Sequence, residues 1–217
     1  MTVAQSGAGI AIVVPAFNEA RSIAQVVKAF APLGDVVVVD DGSSDGTAGL
    51  AEAAGATVFR QPTNKGYTAA LAAGLGLAIK AGKQFAITAD ADGQHAPQYV
   101  AAAASILAKG ADVAVGVRDR HQRISEVIFS VVGRLRWGIA DPLCGIKGYR
   151  LGHLATLRTL DSYESVGTEL VVRAAARRWK IDQFPVRTLP RQGKSTFGHG
   201  MRAEARIIRA LWLGLLL

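Results

Sequence analysis

Four valines in a row, at positions 36–39, run straight into Asp40-Asp41-Gly42. A strand without polar alternation is apolar on both faces, so it has to be covered from both sides, as strands of a helix-wrapped parallel sheet are. Ile10-Ala11-Ile12-Val13-Val14 and Phe85-Ala86-Ile87-Thr88 have the same character, and the second also ends in acid, at Asp90-Ala91-Asp92-Gly93. Carboxylates at the carboxyl ends of parallel strands stand where open α/β sheets bind their ligands.

The chain alternates short β-branched runs with helical patterns. Strands are predicted near 10–14, 35–40, 56–59, 84–90 and 112–117, with helices near 19–31, 46–54, 66–81 and 97–108. The Ala-rich stretches favour helix, and Pro97 suits a first helical turn. After Arg118 an amphipathic helix is predicted at roughly 121–138, with Ile124, Val127, Ile128, Val131, Val132 and Leu135 on one side. A short strand within 141–150, helices near 151–159 and 165–179, a strand near 181–188, a basic loop at 190–200 and a terminal helix follow. The expected class is α/β, a mostly parallel Rossmann-like sheet flanked by helices, with amphipathic helices toward the C-terminus. At 217 residues the chain is expected to form one domain over 1–200 and a basic, apolar helix over 201–217.

Charge is divided unevenly along the chain. Residues 1–117 hold 7 Lys/Arg against 9 Asp/Glu, whereas residues 118–217 hold 18 against 8. Such a basic half favours phosphorylated ligands or anionic membrane surfaces. Aromatic residues make up 6% and do not interleave with basic ones, so a nucleic-acid partner is not expected. Cys144 is the single cysteine and the four histidines are scattered, which excludes an internal disulfide and argues against a zinc site. The chain is expected in a reducing, cytoplasmic setting, without a secretory signal or a complete membrane-spanning helix. Its apolar end, residues 210–217 following Arg202, Arg206 and Arg209, is expected at a membrane surface or at the start of a membrane segment.

Three stations carry chemistry. Val13-Val14-Pro15-Ala16-Phe17-Asn18-Glu19 places Asn18 and Glu19 at a helix entrance; alone this reads as a cap with an acidic first turn. Beside Asp40-Asp41-Gly42-Ser43-Ser44-Asp45-Gly46-Thr47 it becomes one wall of a pocket for a nucleoside, whose N–H and hydroxyl groups a carboxylate accepts. The third station, Asp90-Ala91-Asp92-Gly93-Gln94-His95, offers hard oxygen ligands for Mg2+ or Mn2+, with Asp92 the first choice for the metal and Asp90 for metal or ribose. Together these point to nucleotide-sugar chemistry.

These three stations, followed by Asp141-Pro142-Leu143-Cys144-Gly145-Ile146-Lys147-Gly148-Tyr149-Arg150, resemble in order the family 2 glycosyltransferases of the GT-A fold. More narrowly the chain is similar, over about residues 10–198, to the polyprenyl-phosphate sugar synthases, of which dolichyl-phosphate mannose synthase is the best-known kind. The resemblance implies that Pro15, Ala16, Glu19, Asp40 and Asp41 line the nucleoside site, that Asp90 and Asp92 hold the metal and diphosphate, and that Gln94 lies beside them. It implies that Arg118 and Arg123 recognise a lipid phosphate and that Arg191 and Lys194 belong to a loop folding over the donor's diphosphate. Where relatives carry Asp-Pro-Thr-Ser-Gly-Phe-Arg, this chain has Leu143, Cys144, Ile146 and Lys147, and a lysine lacks the planar fork of arginine. Cys144 reads as a small buried replacement for serine.

The implied reaction moves a sugar from a nucleotide donor to a polyprenyl phosphate on the cytoplasmic face of a membrane. A sugar hydroxyl acceptor would instead need a base, Glu169 or Asp141, and Glu169 reads equally as a sugar-hydroxyl ligand or as a partner for Arg173 four residues on. A membrane-associated module without catalysis is the third reading. A dehydrogenase is disfavoured because Gly7-Ala8-Gly9 precedes the first strand, and a Walker A loop because position 188 is Thr where the motif requires Gly. A nucleotidyltransferase would place a basic, Gly-rich loop where Pro15-Ala16-Phe17-Asn18-Glu19 stands.

Overall fold

The computed structural model describes residues 9–120, 123–161, 164–187 and 201–217, with side chains of the last segment from 204 onward. Seven strands form a single sheet: β1 (Ile10–Ala16), β2 (Asp35–Asp40), β3 (Thr57–Arg60), β4 (Phe85–Thr88), β5 (Val113–Arg118), β6 (Lys147–Arg150) and β7 (Ile181–Val186). Their spatial order is β3-β2-β1-β4-β6-β5-β7. Every neighbouring pair is parallel except the two that involve β6, which lies antiparallel between β4 and β5. The carboxyl ends of β1, β2, β4 and β5 therefore share one edge.

The apolar runs become strands buried from both sides. In β1, Ile10, Ile12, Val14 and Ala16 face one cluster, completed by α1 (Ile23–Phe30), α2 (Thr47–Ala53) and α4 (Pro97–Ala108). Ala11 and Val13 face the other, where Leu71, Leu75 and Ala78 of α3 (Tyr67–Lys80), Leu151 and Leu154 of α6 (Leu151–Leu154), and Val166, Leu170 and Ala174 of α7 (Val166–Ala176) pack. Helix α3 comes very close to the sheet at Gly74, where a Cβ would stand 2.3 Å from Val13 Cγ1; any other residue would push the helix away.

Helix α5 (Ile124–Trp137) and helix α8 (Met201–Leu215) form a third apolar cluster around Phe129, Ile207, Ala210 and Leu211. They run in the same direction. The Ser125 backbone N–H donates to Glu204 Oε2 at 3.1 Å at their leading ends, while Arg136, Trp137 and Leu217 line one cavity at their trailing ends. No helix among the described residues is long and apolar enough to cross a membrane.

Three of the differences in extent have a visible local cause. The helix expected from residue 19 starts at Ile23, because residues 18–20 are tied to the neighbouring loop and Asn18 adopts φ +55°. The strand expected to 90 ends at Thr88, which releases Asp90 into the loop. The helix expected over 151–159 is a single turn, Leu151–Leu154, where Thr156 Oγ1 donates to the His153 carbonyl at 2.7 Å and the chain turns away.

Candidate active site

Pro15 and Ala16 close β1 in register with Val39 and Asp40, so the first two stations meet side by side at one sheet edge. The loops beyond are clasped together. Thr47 Oγ1 accepts the Glu19 backbone N–H at 2.8 Å and donates to Asp45 Oδ1 at 2.5 Å, Asp45 Oδ2 accepts the Ala20 N–H at 3.0 Å, and Ser43 Oγ accepts the Asn18 N–H at 2.9 Å. Partial burial would raise the Asp45 carboxyl, yet the hydrogen bonds from Thr47 and Ala20 hold it below its ordinary value.

The two acids of the second station have different surroundings. Asp40, buried at the end of β2, accepts the Ser43 N–H at 3.3 Å. Asp41 accepts the Lys65 and Gly66 N–H groups, one on each oxygen at 2.8 Å, and so holds the loop leading into α3. Gly42, at φ +77°, makes that approach feasible, since a Cβ there would lie 2.8 Å from Asn64 N. Glu19 is half-buried, and its Oε2 accepts Ser22 Oγ at 3.2 Å.

At the third station Asp90 remains 30% exposed at its side chain, whereas Asp92 is buried and accepts the Gln94 N–H at 3.0 Å. Tyr67 Oη donates to Asp90 Oδ1 at 3.2 Å, and the Asp90 N–H donates to His95 Nδ1 at 3.2 Å. The opposite wall is backbone: a Cβ on Gly145 would stand 2.5 Å from Asp90 Oδ2. Among the described residues no three His, Cys, Asp or Glu side chains gather as a complete metal cage. Two aspartates of hard oxygen character, one open to solvent, fit a divalent cation whose remaining ligands come from a diphosphate and water.

The segment from Asp141 to Gly145 links this station to a cluster of charge. Arg118, at the end of β5, donates to Asp141 from its backbone N–H (3.1 Å), Nε (2.7 Å) and Nη2 (3.0 Å), and its Nη1 lies 3.4 Å from Glu126 Oε2. Arg123, at the N-cap of α5, donates from Nη1 to Glu126 Oε1 at 2.9 Å. Both arginine side chains are 17% exposed and that of Glu126 is 4%, so this is no solvated helix start. Burial would raise the Asp141 carboxyl, but the hydrogen bonds and charge of Arg118 hold it below the usual range; the guanidinium is correspondingly raised.

Glu169 is completely buried in α7, with Oε1 2.8 Å from Arg173 Nη2. Of its three sequence readings, the ion pair is the one with visible geometry. Cys144 is fully buried and burial pushes its thiol up to about 11, which makes it an inert core residue. Lys147 is also buried; its Nζ donates to the Cys144 carbonyl, and desolvation lowers its pKa. Arg191 and Lys194 lie outside the described residues.

Sequence reasoning missed Glu126, Tyr67 and the paired duty of Asp45 with Thr47. A usable signal existed for Glu126, an acid three residues after Arg123 on the side of the helix opposite its apolar face. Tyr67 had none, because only the packing of α3 on β1 brings it to Asp90.

The family model for Glycosyl transferase family 2 matches residues 11–139. A polyprenol monophosphomannose synthase of Mycolicibacterium smegmatis is 31% identical, covering 93% of this chain and 85% of its own length. An undecaprenyl-phosphate mannosyltransferase of Micrococcus luteus is 26% identical over 92% of each. Among solved structures, a glucosyl-3-phosphoglycerate synthase of Mycobacterium tuberculosis, in complex with Mn2+, UDP-glucose and phosphoglyceric acid, superposes with a TM-score of 0.80 at 21% identity, covering all of this chain and 85% of that one. This last likeness speaks for the fold.

Proposed function

Because the chain belongs to glycosyl transferase family 2, we propose that it moves a sugar from a nucleoside diphosphate to a polyprenyl phosphate at the cytoplasmic face of a membrane. One observation carries this reading: the arginine cluster stands at the head of an exposed apolar helix pair. Arg123 caps α5, whose outward residues include Ile124 (78% exposed) and Leu135 (84%), and α8 alongside presents Trp212 at 65%. An amphiphile with an anionic head and an apolar tail has the matching chemistry.

In this reading Pro15, Ala16, Glu19 and Asp40 line the nucleoside site, Asp41 shapes it through the loop before α3, and Gln94 braces Asp92. Arg191 and Lys194 are assigned to the loop over the diphosphate. Asp90 and Asp92 would hold Mg2+ or Mn2+, which when bound offsets the charge of the departing diphosphate. Arg118 and Arg123 orient the acceptor so that a phosphate oxygen forms the new bond to the anomeric carbon as the bond to the donor's diphosphate breaks. That oxygen is already anionic near pH 7, so no base is required. A hydroxyl acceptor is not favoured, since both available acids are committed: Asp141 to Arg118 and Glu169 to Arg173.

Calorimetry with UDP-, GDP- and dTDP-sugars, with and without Mn2+, followed by transfer assays to a polyprenyl phosphate and to the corresponding alcohol, tests the proposal. Metal-dependent binding of one donor and transfer to the phosphate alone are expected. Transfer to free sugars with none to the lipid phosphate would overturn the acceptor assignment.

A further inference from the structure

We infer that Glu126 is a positioning residue that holds the Arg118 and Arg123 guanidiniums together as one phosphate-binding pair. The inference rests on the phosphate-acceptor reading above. Its basis is the way one buried carboxylate serves two cations from different elements: Oε2 faces Arg118 at the end of β5, and Oε1 accepts from Arg123 at the N-cap of α5.

Helix stability accounts for an acid in the first turn of α5 but not for the two cations gathered on it. An arginine at a helix N-cap opposes the helix dipole, and a second guanidinium beside it adds repulsion. With both side chains only 17% exposed, water screens that repulsion poorly. Glu126, in the first turn of α5, offsets both penalties, since an acid is favoured there. Asp141 meanwhile engages the Nε and Nη2 edge of Arg118, which fixes the plane of that guanidinium and turns Nη1 toward Glu126. The first turn is itself anchored, because Glu204 of α8 accepts the Ser125 N–H. An incoming phosphate thus meets donors already ordered, without the loss of side-chain freedom that two mobile arginines would suffer. The role is distinct from binding: Glu126, being anionic, would repel a phosphate that touched it.

The test measures binding of geranyl phosphate, with geraniol as the uncharged control, to the wild type and to Glu126→Gln, alongside Mn2+-dependent binding of UDP and GDP to both. Loss of an orienting partner predicts about a tenfold weaker affinity for geranyl phosphate in E126Q, with nucleotide affinity unchanged. Glu126→Asp, which keeps the charge and shortens the reach, should recover part of the loss and carries the test if E126Q does not fold. In steady state the defect belongs in the acceptor KM, with the donor KM unaffected. Geranyl phosphate affinity equal to wild type in E126Q, or equal loss of nucleotide and phosphate binding, overturns the assignment, as does a wild type that binds no geranyl phosphate. A wild type that binds the phosphate but transfers no sugar to it would instead overturn the proposed reaction and leave the pair standing.

Discussion

Arg118 and Asp141, 23 residues apart in sequence, meet through three hydrogen bonds in which the backbone N–H, Nε and Nη2 of one residue all converge on a single buried carboxylate. The contact joins the last residue of β5 to the turn before β6, and four residues later the same turn lays Gly145 against Asp90. A charged pair thereby ties the arginine cluster to the aspartates of the third station.

Replacing Asp141 by Asn leaves a largely buried guanidinium without its main partner, and breaking such a pair costs about 3 kcal/mol. The folded-state pKa of Asp141 is depressed, so this stabilisation is present above the unfolded value of about 3.9 and is lost as pH falls through the folded value. Urea unfolding from pH 7 down to pH 2 should show wild type and D141N converging in acid. A gap that persists undiminished at pH 2 contradicts the pairing.

Asp92→Ala should abolish sugar transfer and metal-dependent nucleotide binding together, while thermal unfolding in the absence of ligand shifts little. Retained Mn2+-dependent binding in calorimetry would remove Asp92 from the metal site.

Glu169→Gln is expected to lower stability through the loss of the buried pair with Arg173, yet to change kcat for a polyprenyl phosphate by less than about threefold, since an anionic acceptor needs no base. A fall of about a hundredfold or more, the magnitude typical of a lost general base, would restore the hydroxyl-acceptor mechanism.

Asp45→Ala should loosen the clasp between the loops after β1 and β2, because it deletes the bond from the Ala20 N–H across them and the two bonds that fix Thr47. The loss of these three hydrogen bonds, one exposed and two part-buried, is expected to cost about 1 kcal/mol and to raise the nucleotide-sugar KM. Chemical unfolding and donor titration measure the two effects separately.

The outward faces of α5 and α8 predict binding to anionic liposomes that Leu135→Glu combined with Trp212→Glu weakens, with nucleotide affinity unchanged. Flotation at low salt reads this directly. Wild-type protein that stays entirely in the soluble fraction would contradict the membrane assignment.

What the sequence determined by itself was local and repetitive. The unalternating valines of β2 and the mixed small and branched residues of β1 demand burial on two faces, so a helix-wrapped parallel sheet followed from the pattern, and the acids stood at strand ends because apolar runs stop there. The amphipathic face of α5 was legible at its helical period. What only the tertiary structure decided was pairing across distance. Strand β6 could have joined an edge, but Gly148, whose Cβ would stand 2.9 Å from Leu107 Cδ1, lets it slot antiparallel between β4 and β5. That insertion is what delivers Asp141 to Arg118 and Gly145 to Asp90. The division between Asp40, left at the pocket, and Asp41, committed to the α3 loop, was equally invisible in sequence, because adjacent acids at a strand end point to opposite faces and their partners come from elsewhere. Glu126 is the sharpest case: its spacing from Arg123 was readable, but its hold on Arg118 exists only because α8 pins the start of α5 beside the end of β5.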